Sequence, residues 1–131
     1  VFKHLPLATH PQSPIAAVAA ECAAEQGEFW EMHDLLFKEQ AAWSMDDPEA
    51  ALVALAVDLG LDQEQFATCL DSRQALEEVL QDMWASDGLV TRTPTFIAIV
   101  GGEGQIITGS LAAGNFASLL ESLVEDARAV E

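Results

Sequence analysis

Apolar residues recur every three or four positions through the first two thirds of the chain, then crowd into one short β-branched run. Ile15, Val18, Ala19, Cys22 and Ala23 share a helical face that Gly27 ends, with Ser13 as the expected cap and Pro14 as the first helical residue. Glu28 to Gln40 predicts a second helix with a stripe of Phe29, Met32, His33, Leu36 and Phe37, followed by a connection from Ala41 to Asp47. Asp47-Pro48 reads as cap and first turn of a third helix, whose face is Ala51, Leu52, Leu55, Ala56 and Leu59 and whose stop is Gly60. Asp62 with Gln65 predicts a capping box for a short helix through Leu70. Ser72 is placed to cap the next helix, with Leu76, Val79, Leu80 and Met83 inward and Gly88 after its end.

The period then changes. Thr95 to Val100 is β-branched and aromatic and is followed by Gly101-Gly102, so it predicts a strand opening a hairpin, with Gln105 to Thr108 as the return strand. Ala112 to Ala127 predicts a last helix with Phe116, Leu119, Leu120, Leu123 and Val124 on its inner side. At the other end, Val1 to Leu7 is short and mostly apolar and reads as a buried strand stopped by Pro6.

Composition narrows the class. The 131 residues suit one domain, and 50% of them are hydrophobic, enough for a real core. No apolar run approaches the roughly 18–20 residues that span a bilayer. Five Lys and Arg stand against 22 Asp and Glu, for a net charge of −17, and residues 1–20 hold no acid. Such a surface repels phosphates and anionic headgroups, which excludes nucleic acid and anionic membranes as main partners. The chain starts at Val1, inside an expected strand, with no initiator Met and no leader-like segment, which reads as a processed or trimmed start.

Pro94 stands between Thr93 and Thr95 at the mouth of the expected strand. Proline cannot donate to a ladder, so it belongs at or just before a strand's first residue. An X-Pro bond is also the one kind that becomes cis at low cost, roughly 0.5–1 kcal/mol. A trans proline starting a strand and a cis proline turning the chain sharply are both open on the residues alone. In the second case the backbone of Thr93 faces outward.

The order of elements and several local motifs carry a resemblance. Phe2-Lys3-His4-Leu5-Pro6-Leu7, His10-Pro11, Ala19-Ala20-Glu21-Cys22-Ala23, Gln26-Gly27-Glu28-Phe29-Trp30-Glu31-Met32-His33-Asp34-Leu35-Leu36-Phe37 and Gly88-Leu89-Val90-Thr91-Arg92-Thr93-Pro94-Thr95-Phe96 resemble the DsbA-like branch of the thioredoxin superfamily. The resemblance implies an α/β thioredoxin-like fold with an inserted helical domain. Residues 1–13 and 88–131 would be parts of the thioredoxin core, and residues 14–87 the insertion, in one incomplete domain. It also implies thiol–disulfide exchange in protein substrates, an extracytoplasmic location, a redox partner protein and no cofactor. Thr93 and Pro94 match the family's cis-proline loop, where the backbone before the proline pairs with the substrate strand. Arg92 occupies a position that is often Gly in the family.

The family's reactive pair is a Cys-x-x-Cys at a helix N-terminus, which lowers the pKa of the attacking thiol. That unit would precede the segment matched by Val1–Leu7, and the chain contains no Cys-x-x-Cys. The expectation is that the central strand and dithiol lie outside the chain, which would be inactive alone. Strand edges left open would then be covered by a second copy, a strand-swapped assembly or a separate fragment. Cys22 and Cys69 both fall on apolar helical faces. They read either as independent buried thiols or as a structural disulfide, which an oxidising compartment would permit.

Other chemistry is poorly supported by the residues. His4, His10 and His33 include no i, i+4 pair and no Cys/His cluster, so no metal site is expected; His33 is expected to bond a backbone carbonyl. Trp30, Trp43 and Trp84 read as core or interdomain packing. Gly101-Gly102-Glu103-Gly104 reads as a turn and not a phosphate loop, and no Gly-x-Ser-x-Gly elbow occurs. Two alternatives to the oxidoreductase remain: a redox-inactive thioredoxin-like binding module, attached for example to a transporter, and a glutathione-dependent isomerase or transferase of the same fold.

Overall fold

A helix made largely of alanine organises the first part of the chain. The computed structural model describes residues 1–129 and divides the chain into two units, Val1–Asp87 and Gly88–Glu131. In the first, α1 (Ser13–Ala24) buries Ala16, Ala17, Val18, Ala19, Ala20, Cys22 and Ala23. Small side chains around most of its circumference let α2 (Phe29–Lys38), α4 (Glu49–Asp58), α5 (Gln63–Leu70) and α6 (Arg73–Ser86) pack against it. Phe66, Met32 and Leu52 fill the space between these helices and are fully buried.

Several helix ends differ from the sequence reading. The N-cap of α1 is Gln12, while the Ser13 hydroxyl donates to the His10 carbonyl at 2.7 Å. Pro48, not Asp47, caps α4, and no side chain bonds its first turn. The expected connection after α2 contains a one-turn helix, α3 (Gln40–Trp43), fixed by Trp43, whose indole N–H donates to the Leu36 carbonyl at 2.8 Å. Asp62 caps α5 as expected, its carboxylate accepting from the Gln65 N–H at 2.8 Å. The reciprocal half of the box comes from elsewhere: the Asp62 N–H donates to the side chain of Gln26 at 2.8 Å. Ser72 caps α6, with Val79 buried and Met83 packed against the core as expected, while Ala75 is also buried and Leu76 is exposed.

Val1–Leu7 is not a strand. The segment has no regular secondary structure, because a strand needs a ladder partner and no strand pairs with it among the described residues. Side chains hold it instead. Asp82 of α6 accepts from the Lys3 ammonium at 2.6 Å and from the His4 N–H at 2.9 Å. The His4 ring is only 6% exposed and its Nε2 meets Glu21 of α1 at 2.7 Å.

The second unit is a hairpin and one helix. β1 (Thr95–Val100) pairs antiparallel with β2 (Glu103–Thr108), with Thr95 opposite Thr108 and Val100 opposite Glu103. Gly101 and Gly102 have φ of 61° and 86°, the positive values that a two-residue type I′ hairpin turn requires at both positions. α7 (Ala113–Ala129) packs against β1, with the Phe96 and Phe116 rings 4.7 Å apart. Ile107, opposite Phe96, is buried. Ile97, Ile99 and Ile106 lie on the other face and are exposed. Leu120 and Val124 of α7, expected inward, are also exposed. Two strands spaced about 4.8 Å apart make a surface too narrow to cover a wide helical face. Helices with a mixed, partly stranded unit make the architecture α/β, as a thioredoxin-like fold requires.

Candidate functional site

The loop that enters β1 carries the Thr93–Pro94 pair. Pro94 stands one residue before β1, and the Thr93–Pro94 peptide bond is cis. The Pro94 carbonyl accepts from the Gly109 N–H at 2.8 Å, which carries the ladder one step past Thr95 and Thr108. The Thr95 hydroxyl donates to the Arg92 carbonyl at 2.6 Å and closes the loop on itself. Among the described residues, the backbone of Thr93 makes no hydrogen bond to another backbone group, and Thr93 and Pro94 are both exposed. Beside the loop lies a depression of about 340 Å³, walled by Leu89 and Ile106 and carrying Thr91, Arg92, Thr95 and Thr108.

Cys22 and Cys69 are bonded to each other, with an S–S distance of 2.04 Å. The bridge ties α1 to α5, and both residues are buried. No free cysteine remains. The disulfide therefore braces the helical unit, and the chain itself presents no thiol for exchange. This pair and the Thr93–Pro94 loop lie in different units.

Reading the residues alone missed an aromatic cluster. Phe2, His4, Phe29, Trp30, His33 and Phe37 pack edge to face or stacked, with ring centroids between 5.1 and 6.3 Å apart. Its local part was legible as the spacing of Phe29, His33 and Phe37 along one helix; the addition of Phe2 and His4 depends on the long-range bonds to Glu21 and Asp82. His33 bonds the Asp34 carboxylate at 2.9 Å and not a backbone carbonyl. Trp43 is buried, whereas Trp30 and Trp84 are exposed. Among the described residues, no three His, Cys, Asp or Glu side chains converge as a metal site would require.

With this geometry in place, the comparisons with known proteins are specific. The family described as Thioredoxin matches residues 1–122, and the chain belongs to it. Among curated proteins it resembles the Na(+)/H(+) antiporter NhaA 3 of Salinispora tropica, 45% identical over 98 residues, which cover 73% of this chain and 14% of that protein. It also resembles the Na(+)/H(+) antiporter NhaA of Herminiimonas arsenicoxydans, 38% identical over 123 residues, covering 93% of this chain and 18% of that protein. The Na(+)/H(+) antiporter NhaA 1 of Salinispora arenicola is 41% identical over 98 residues, covering 73% and 14%. The chain thus spans less than a fifth of the length of these relatives. No solved structure matches it. No helix among the described residues is long and apolar enough to cross a membrane.

Proposed function

We propose that this chain is the scaffold and peptide-docking part of a DsbA-type thiol–disulfide oxidoreductase, with the reactive Cys-x-x-Cys carried elsewhere in a longer parent protein. The observation that carries the reading is the exposed backbone of Thr93, unpaired among the described residues, in a thioredoxin-family chain. Its N–H and C=O are free to pair with an extended substrate strand, as β-augmentation needs. A docked strand would hold its cysteine or disulfide beside the parent's dithiol. Exchange then passes through a mixed disulfide: a thiolate attacks one sulfur, and the other sulfur leaves as a thiolate. A second thiol resolves the intermediate, so two electrons and two protons move between enzyme and substrate. Thiol-containing proteins are the substrates in this reading, and a separate redox partner resets the dithiol. The buried disulfide suits an oxidising, extracytoplasmic setting.

The test is reduction of insulin disulfides by the parent protein and by this chain in the presence of dithiothreitol. The parent is expected to accelerate precipitation of the insulin B chain, and this chain is expected not to. A parent without activity, but with peptide binding intact, would contradict the enzyme assignment.

A second reading is favoured by the antiporter names of the relatives and by the small share of each that the chain spans. There the chain is a redox-inactive binding module attached to a transporter, and the docking loop serves recognition alone. Pairing with a second copy through the open edge of β1 is compatible with either reading. Sedimentation equilibrium tests it: a mass that rises with concentration supports pairing, and a monomer throughout removes it.

A further inference from the structure

Arg92 has no role in the fold that its charge would explain. Among the described residues no carboxylate lies within ion-pair distance of it, although the chain carries 22 acids. Those acids are unevenly placed: residues 1–87 hold 17 acids and three bases, and residues 88–131 hold five acids and two bases. Residues 88–102 contain no acid, and Arg92 is their one charged side chain. Glu103 sits at the turn end of the hairpin, five ladder steps from Thr95, hence roughly 17 Å away. That exceeds the Debye length of about 8 Å at physiological salt, so its charge is largely screened at the loop. Glu121, Glu125 and Asp126 belong to the half of α7 that follows Phe116 and runs toward Gly101, near which Ala127 lies. They too stand toward the turn end.

The opposite end of the hairpin therefore combines a guanidinium with no ion-pair partner among the described residues with the hydroxyl-bearing residues Thr91, Thr95 and Thr108 around a depression of about 340 Å³. The Thr95 hydroxyl already donates to the Arg92 carbonyl, so Thr91 and Thr108 are the hydroxyl donors beside the guanidinium, and together they match a carboxylate in both charge and hydrogen bonding. We propose that this depression is an acid-selective subsite for an extended peptide, with Arg92 binding an Asp or Glu side chain next to the segment docked on Thr93. The subsite rests on the docking reading above and adds a substrate class to it: protein segments with an acidic residue close to the target cysteine.

The test uses the full 131-residue chain and two fluorescein-labelled peptides that differ only by Glu or Gln beside an S-methylated cysteine. Fluorescence anisotropy is expected to show the Glu peptide binding about threefold more tightly, the scale of an exposed ion pair. The preference is expected to vanish in Arg92→Gln and to shrink in about 1 M salt. Equal affinity for both peptides, or a preference that survives Arg92→Gln, would overturn the subsite and leave the docking reading standing. If neither peptide binds, the docking reading falls and the subsite falls with it.

Discussion

The helical unit and the hairpin unit solve the problem of apolar surface in opposite ways. In residues 1–87, seven residues of α1 are buried, and Phe66, Met32 and Leu52 close the core against it. Among the described residues of 88–129, Ile107 is the buried hydrophobic residue, no residue of α7 is buried, and Ile99 is 73% exposed. The first unit also has a covalent brace and side-chain caps. The second has a ladder of two strands and a loop whose backbone is partly unpaired. Stability is thus concentrated where no candidate chemistry lies, and the loop proposed for docking sits on the part with least burial. Binding segments are commonly drawn from the less protected parts of a fold, because they must accept a partner.

Substitutions in the two units should separate this contrast, beginning with the largest effect. Phe66→Ala removes a fully buried ring and should cost about 3–5 kcal/mol, read as a lower urea midpoint. A loss below about 1 kcal/mol would mean that the core is not closed around it. Replacing both Cys22 and Cys69 by Ala opens a loop with a sequence separation of 47, and should cost up to about 4 kcal/mol in the same assay. An unchanged midpoint would show that the bridge does not brace the unit. Asp62→Ala removes the cap of α5 and should cost about 1 kcal/mol. Ile99→Ser, on the open face of the hairpin, should change the midpoint by less than about 0.5 kcal/mol. A cost several times larger would show that this face is covered in solution.

Legibility in the sequence followed the range of the interaction. The helices and the hairpin were readable because periodicity, Gly101-Gly102 and the caps at Asp62 and Ser72 act within a few residues. Val1–Leu7 misled because an apolar β-like run reads as a strand whether or not a partner exists. What fixes it is Asp82, at the far end of the helical unit, and no local pattern announces that contact. Gln26 completing the cap of α5 is hidden for the same reason. Leu76, Leu120 and Val124 have the right spacing for burial, yet spacing says only which face is apolar and not how wide the opposing surface is. The Thr93–Pro94 loop is legible as a candidate through its motif, whereas the distance of Arg92 from Glu103 within its unit follows only from the ladder register.

Hydrogen exchange read by mass spectrometry, on the chain alone and with the Glu-containing peptide, tests the central contrast most directly. The account predicts slow exchange for the amides of α1, α2, α4, α5 and α6 in both samples. It predicts fast exchange over 88–109 in the free chain, slowed when the peptide is present. Equal protection of both units in the free chain, or no change over 88–109 at saturating peptide, would contradict it.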